Sequence, residues 1–160
     1  MRPRTAALTV AFCLALGCAQ GPLSGSVSEL FDLTVSAEFV QRNTEAFQLT
    51  YVHNQATAVD IVVSVGLSLT NADFFPGATV PLEGEYAPGH PRCVVVHHAN
   101  GEPERALPPI LKGTLHLGGG ANPGDSTSGD FSMAFVEDGG YGSGRTLLGS
   151  FGGTVIDAGF

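Results

Sequence analysis

Lys112-Gly-Thr-Leu-His-Leu117, Gly129-Asp-Phe-Ser-Met-Ala-Phe135 and Leu147-Leu-Gly-Ser-Phe-Gly-Gly-Thr-Val155 decide the fold of this chain. In the first run Gly113, Leu115 and Leu117 share a side, opposite Lys112, Thr114 and His116. That period of two is what a half-buried strand requires. Gly129, Phe131, Met133 and Phe135 repeat it, and Leu147, Gly149, Phe151, Gly153 and Val155 repeat it again. The connections, residues 118–125 and 138–144, are rich in Gly, Asn, Asp and Pro, the chemistry of chain reversal. The three runs predict one meander with one dry side. Gly129, Gly149 and Gly153 sit inside strands, so bulges, sharp coiling or a ring of a neighbouring strand lying over the missing side chain are expected there, with Phe131 and Phe151 as the rings.

Working outward, Phe31, Leu33, Val35, Ala37 and Phe39 alternate with polar residues and predict a strand, with order beginning near Glu29. Arg42-Asn-Thr44 is a turn, and Phe47, Leu49 and Tyr51 mark a second strand. The β-branched run Val59 to Leu69 predicts a long central strand with Val59, Ile61, Val63, Val65, Leu67 and Leu69 on one face and Val62 alone on the other. Thr79 to Tyr86 reads as an edge strand because Pro81 cannot donate to a ladder. Cys93 to His98 is apolar on both faces and is expected to be packed from both sides. The Pro-containing stretch Asn100 to Pro109 reads as an irregular loop. About eight strands and no helical period after the leader predict an all-β domain over residues 29–160: an antiparallel β-sandwich, with a small calycin-like β-barrel as the alternative.

The chain has 160 residues, enough for one domain with its own core. Of its 7 Lys and Arg, Arg2 and Arg4 lie in the leader, so the remainder carries five basic residues against 15 acidic ones. Nucleic acid is an improbable partner for such a surface, because phosphate binding needs clustered cations.

Residues 1–18 combine a basic start (Arg2, Arg4), an apolar run from Ala6 to Leu16 and small residues at the end, the pattern of an export signal. Leu14-Ala-Leu-Gly-Cys18 resembles the lipobox of bacterial lipoproteins, although Ala15 stands where a larger aliphatic is preferred. That resemblance implies a lipid on Cys18, which would become the mature first residue; ordinary cleavage after Ala19 is the alternative. Each buried acyl methylene is worth roughly 0.8 kcal/mol, so an acylated terminus would hold the protein on its membrane. Ala19 after the Cys implies, by the same resemblance, the outer membrane of a diderm host; a secreted or periplasmic protein is the alternative. Residues 19–28 have linker composition and are expected to form a flexible arm. The pattern Gly-Thr-Leu-x-Leu (Gly113 to Leu117), Ser-Gly-x-Phe-x-x-x-Phe (Ser128 to Phe135) and Leu-x-Gly-x-Phe (Leu147 to Phe151) is similar to the carboxy-terminal part of small all-β lipoproteins of unknown function in environmental bacteria.

Residues that could carry chemistry are few, and their spacing is unhelpful. His53, His90, His97, His98 and His116 suit a transition metal by type, but adjacent His97 and His98 point to opposite faces of a strand. Convergence of His97 with His90 or His116 is the remaining metal geometry, and no metal or cofactor is expected. Asn122, Asp125, Ser126, Ser128 and Asp130 offer oxygens for calcium without the spacing of a calcium loop, so a polar hairpin is expected. Gly124-Asp-Ser-Thr-Ser-Gly129 resembles the nucleophile segment of chymotrypsin-like proteases, but Thr127-Ser128 stands where that family has Gly-Gly. Glu83 with Glu85, Glu102 with Glu104, and Glu137 with Asp138 could do acid and base work only across a cleft. Cys93 is left without an internal partner and is expected to be a buried small hydrophobe. The expected function is a structural or binding role in the cell envelope, with a membrane as partner through the anchor and a further protein or ligand unidentified. No catalytic residue is expected. A β-barrel carrier of an apolar ligand and an envelope hydrolase are the alternatives.

Overall fold

A computed structural model describes residues 21–158; Cys18 and the rest of the leader, with Ala19 and Gln20, lie outside the described residues. The chain is all-β. Its strands are β1 (Leu23–Ser24), β2 (Ala37–Arg42), β3 (Ala46–Asn54), β4 (Val59–Ser68), β5 (Thr79–Pro81), β6 (Glu85–Ala87), β7 (His90–Pro91), β8 (Cys93–His98), β9 (Arg105–Ala106), β10 (Ile110–Leu117), β11 (Ser126–Phe135) and β12 (Thr146–Asp157). One sheet runs β5-β10-β11-β12-β2-β3-β4-β8-β9, with β1 added beside β12; β6 and β7 form a separate hairpin. Among the described residues no helix is long and apolar enough to cross a membrane.

The meander forms as its alternation predicts. Leu115 pairs with Phe131, and Phe131 in turn with Gly149; Gly129 pairs with Phe151. The two glycines do what their positions require. A Cβ on Gly149 would run into the Phe131 ring, and one on Gly129 into the Phe151 ring and the His116 carbonyl. Each Phe therefore covers the glycine opposite it, and both rings are buried. The pairing is reciprocal and fixes the β11/β12 register.

β12 belongs to two arms of the sheet. Its first nine residues pair with β11, and Val155–Asp157 then run parallel to Val40–Arg42 of β2. This one parallel pairing departs from the antiparallel expectation. Gly153, at φ 135°, lies at the transition, in backbone space that a side chain would strain. The sheet thereby curls into a half-barrel, consistent with the expected sandwich or barrel class, and its arms meet face to face. Phe47 lies 6.0 Å from Phe151 and Tyr51 6.2 Å from Phe131, while the Tyr51 hydroxyl donates to the Ser150 carbonyl at 3.0 Å. Phe47, Tyr51, Leu115, Leu117, Phe135 and Leu147 are sealed from water.

Several expectations are corrected. The segment 31–36 is not a strand: Phe31, Leu33 and Val35 pack on the core from a loop, and β2 begins only at Ala37. Phe39 is exposed and Val40 buried, the reverse of the expected phase. In the segment expected to be a flexible arm, residues 21–28 are ordered. Leu23 pairs with Gly149, and Val27, in a 3-10 turn (Ser26–Glu29), is fully buried. In β4 the even alternation breaks, because Tyr51 and Val52 face Val63 and Ile61, leaving Val62 as an inserted residue. That bulge turns Val62 inward and leaves Val59 exposed. β8 is not packed on both sides; Val94 is 43% exposed. Thr79 to Tyr86 is divided between β5, at the sheet edge, and β6.

Two substitutions test this core. Gly149→Ala forces the Phe131 ring to move, costing about 1–3 kcal/mol as overpacking does. Gly129→Ala meets immovable backbone as well as a ring, and its urea midpoint should fall further. Thr127 carries the opposite expectation. Its Oγ1 is buried with no hydrogen-bond partner, so Thr127→Val should stabilise by about 1 kcal/mol, seen as a higher urea midpoint at unchanged slope.

Candidate binding groove

The curled sheet distributes the candidate residues rather than gathering them. His116 lies on the outer face of β10 beside Thr79, at 3.3 Å from its hydroxyl, whereas His97 points into the opposite arm; the two do not converge. His90 is exposed on the hairpin, its ring tilted against that of Tyr86. Among the described residues no three of His, Cys, Asp and Glu come together as a metal ligand set. In the 118–125 loop, Asp125 accepts the Asn122 N–H at 2.9 Å, and Arg42 donates to the Ala121 carbonyl at 2.6 Å. Asp125 is thereby engaged in holding the hairpin. Glu83 accepts from the Gly113 N–H, Glu85 from the Gly89 N–H, and Glu102 pairs with Arg105. Asp138 accepts the Gly140 N–H, which makes that glycine-rich stretch a turn. Cys93 is buried, and burial pushes its thiol up to about 12, far from the range of a nucleophile at neutral pH.

Two recesses remain with chemistry in them. The smaller, about 170 Å³, is lined by Phe31, Asp32, His53, Asp60, Val62 and His97, among others. The β4 bulge releases the Val62 carbonyl from the ladder, and Nδ1 of buried His97 donates to it at 2.9 Å. The His97 ring stacks on Phe31 at 4.0 Å, and Phe31 lies 6.4 Å from Tyr141, over which Arg105 sits at 5.1 Å. Asp60 accepts from Gln55 and from the Asn100 N–H. Hydrogen bonds from the Thr34 hydroxyl and N–H hold the Asp32 carboxyl below its ordinary range. Most polar groups there are spent on closing the end of the half-barrel.

The larger recess, about 460 Å³, lies on the outer face of β3, β4 and β8. Its floor is made of small residues, Ala46, Gly66 and Ser68, with Val94 beside them; a Cβ on Gly66 would meet only the Val94 carbonyl at 3.8 Å. The β6–β7 hairpin is its wall, bearing Tyr86 and His90 with ring centroids 5.7 Å apart. Arg92 follows the hairpin and is held by its backbone, its N–H donating to Gly84 and its carbonyl accepting from Ser68. Nothing in the sequence pattern marked this groove, since its floor is defined by side chains that are missing. The one available signal was Gly66 amid large β-branched residues.

Compared with protein-family models, with curated proteins and with solved structures, the chain finds no match in any of the three.

The buried thiol sets a pH dependence. In the unfolded chain Cys93 ionises from about 8.5 upward, whereas in the fold it keeps its proton to about 12. The native state then binds more protons than the unfolded one, so stability falls as pH rises through that window, by up to about 1.4 kcal/mol per unit. Tyr51, raised by burial, adds to the loss in the same direction at higher pH. Urea unfolding at stepped pH checks this, and Cys93→Ala should flatten the decline below pH 10.

Proposed function

We propose that this chain is an exported, lipid-anchored β domain of the cell envelope, acting by binding or by structural display and not by catalysis. The observation that carries the binding part is the position of the polar recess. The interior is filled by Phe47, Tyr51, Phe131, Phe135 and their neighbours, and the groove bearing Tyr86, His90 and Arg92 is on the outside. A carrier of an apolar ligand needs a lined cavity, and a filled core favours a surface reading over that one. A hydrolase needs convergent acids or bases, and Glu83, Glu85, Glu102 and Asp138 are engaged in turns, a strand edge and an ion pair.

The anchor rests on the leader and on Cys18. The described residues begin at Gly21, so Ala19 and Gln20 stand between an acylated Cys18 and the described fold, a reach of about 10 Å at full extension. On this reading the domain is carried close to the membrane, with β1 as its root.

Metabolic labelling with a radioactive fatty acid tests the proposal. The wild type should incorporate label and fractionate with membranes, and Cys18→Ala should do neither. Equal labelling of both proteins removes the anchor.

A further inference from the structure

We propose that the outer-face groove binds a carboxylate-bearing saccharide, with Arg92 receiving the carboxylate and Tyr86 the ring. The inference rests on the binding role proposed above and names the ligand class for it. It starts from Arg92. Of the four arginines among the described residues, Arg42 donates to the Ala121 carbonyl, Arg105 pairs with Glu102, and Arg145 pairs with Glu29 and the Ser26 carbonyl. Arg92 lines the groove and has no such acceptor; its Nε is shut from solvent, so the two Nη groups are what it can offer a ligand. In a chain with 15 carboxylates, an arginine left open on a concave surface calls for an acceptor from outside. The planar fork of a guanidinium matches a carboxylate through two parallel bonds.

The rest of the groove describes what carries that carboxylate. Tyr86 presents a half-buried ring, a platform for the C–H face of a pyranose, and exposed Thr70 supplies a hydroxyl at the rim. The flat floor of Ala46, Gly66 and Ser68 accepts a flat ligand without a clash. A peptide laid on as an added strand is a poor fit, because β3 and β4 pair on both sides and have no free ladder to offer. Glu45 also lines the groove, and no ion pair ties it to Arg92. It opposes a second negative charge, which favours ligands with spaced rather than clustered carboxylates.

The test is calorimetric titration of the full-length protein with tetragalacturonate and, separately, with neutral cellotetraose. Tetragalacturonate should bind, more weakly as salt rises, and Arg92→Gln and Tyr86→Ala should each lose at least about ten-fold in affinity. Lys112→Gln, a cation on the other arm, should change nothing, and matched thermal melts should show all variants folded. Tetragalacturonate binding that Arg92→Gln leaves intact overturns the assignment of the site. Binding of cellotetraose alone, abolished in Tyr86→Ala, overturns the carboxylate while keeping the groove as a binding surface. Binding of neither sugar overturns the saccharide inference, and the labelling of Cys18 still decides the envelope role independently.

Discussion

The structure depends on two aromatic rings lying over two glycines. Phe131 covers Gly149 and Phe151 covers Gly129, each pair directly opposed across the same two strands. A slip of one residue between β11 and β12 would turn one strand's core side chains to the solvent face, and a slip of two would set Phe131 directly against Phe151, so the register has no near competitor. Gly would be a weak strand residue in isolation. Here its lack of a side chain allows the ring to lie flat on backbone, which lowers the profile of two phenylalanines enough for the opposite arm to close on them. Tyr51 and Phe47 then meet those same rings, and the core of the half-barrel follows from the contact.

β12 carries that closure around the corner. It accepts β11 along one edge, then β1 and, after Gly153, β2 along the other. Because β1 occupies the edge of β12 just before the parallel pairing starts, the amino-terminal segment is part of the sheet, and Leu23 and Val27 are core residues. Thr146 reinforces it through the Ser26 hydroxyl, and Arg145 reaches the Ser26 carbonyl at 2.9 Å. A strand with both edges filled cannot recruit a second copy, which relieves the open half-barrel of one aggregation hazard.

What could be read from the sequence was whatever depends on neighbours two residues apart. The meander, its loops and the rings over Gly129 and Gly149 all have that character. Phe31, Leu33 and Val35 show where the rule fails: they alternate in burial as a strand does, but from a loop that pairs with nothing along most of its length. Alternation reports contact with a flat apolar surface, and a loop lying on the core supplies the same contact. Val62 shows the converse, since a bulge shifts the phase within a run of valines whose composition gives no sign of it. Leu23 and Val27 were hidden by the Gly, Pro and Ser around them, residues that suit a linker and a tight 3-10 entry equally well. The groove was the least legible feature. It is assembled from three strands and a hairpin far apart in sequence, and its floor is recognisable only when Gly66, Ala46 and Ser68 are set side by side.

The groove also differs in mechanical character from the meander. Its floor is the middle of a large sheet with hydrogen bonds on both sides, while its wall is a two-stranded hairpin outside that sheet. Such hairpins are marginal alone in water. This one is held at its tip by Glu85, which accepts the Gly89 N–H at 3.1 Å, and at its foot by the Arg92 N–H to the Gly84 carbonyl at 2.9 Å. With few buried contacts behind it, the wall belongs to the low-stability end of the molecule, where local opening costs less than global unfolding. A rigid floor with a lightly held wall can admit a flat ligand and close on it without disturbing the Phe131 and Phe151 pairs, because the hairpin lies outside the sheet that carries them.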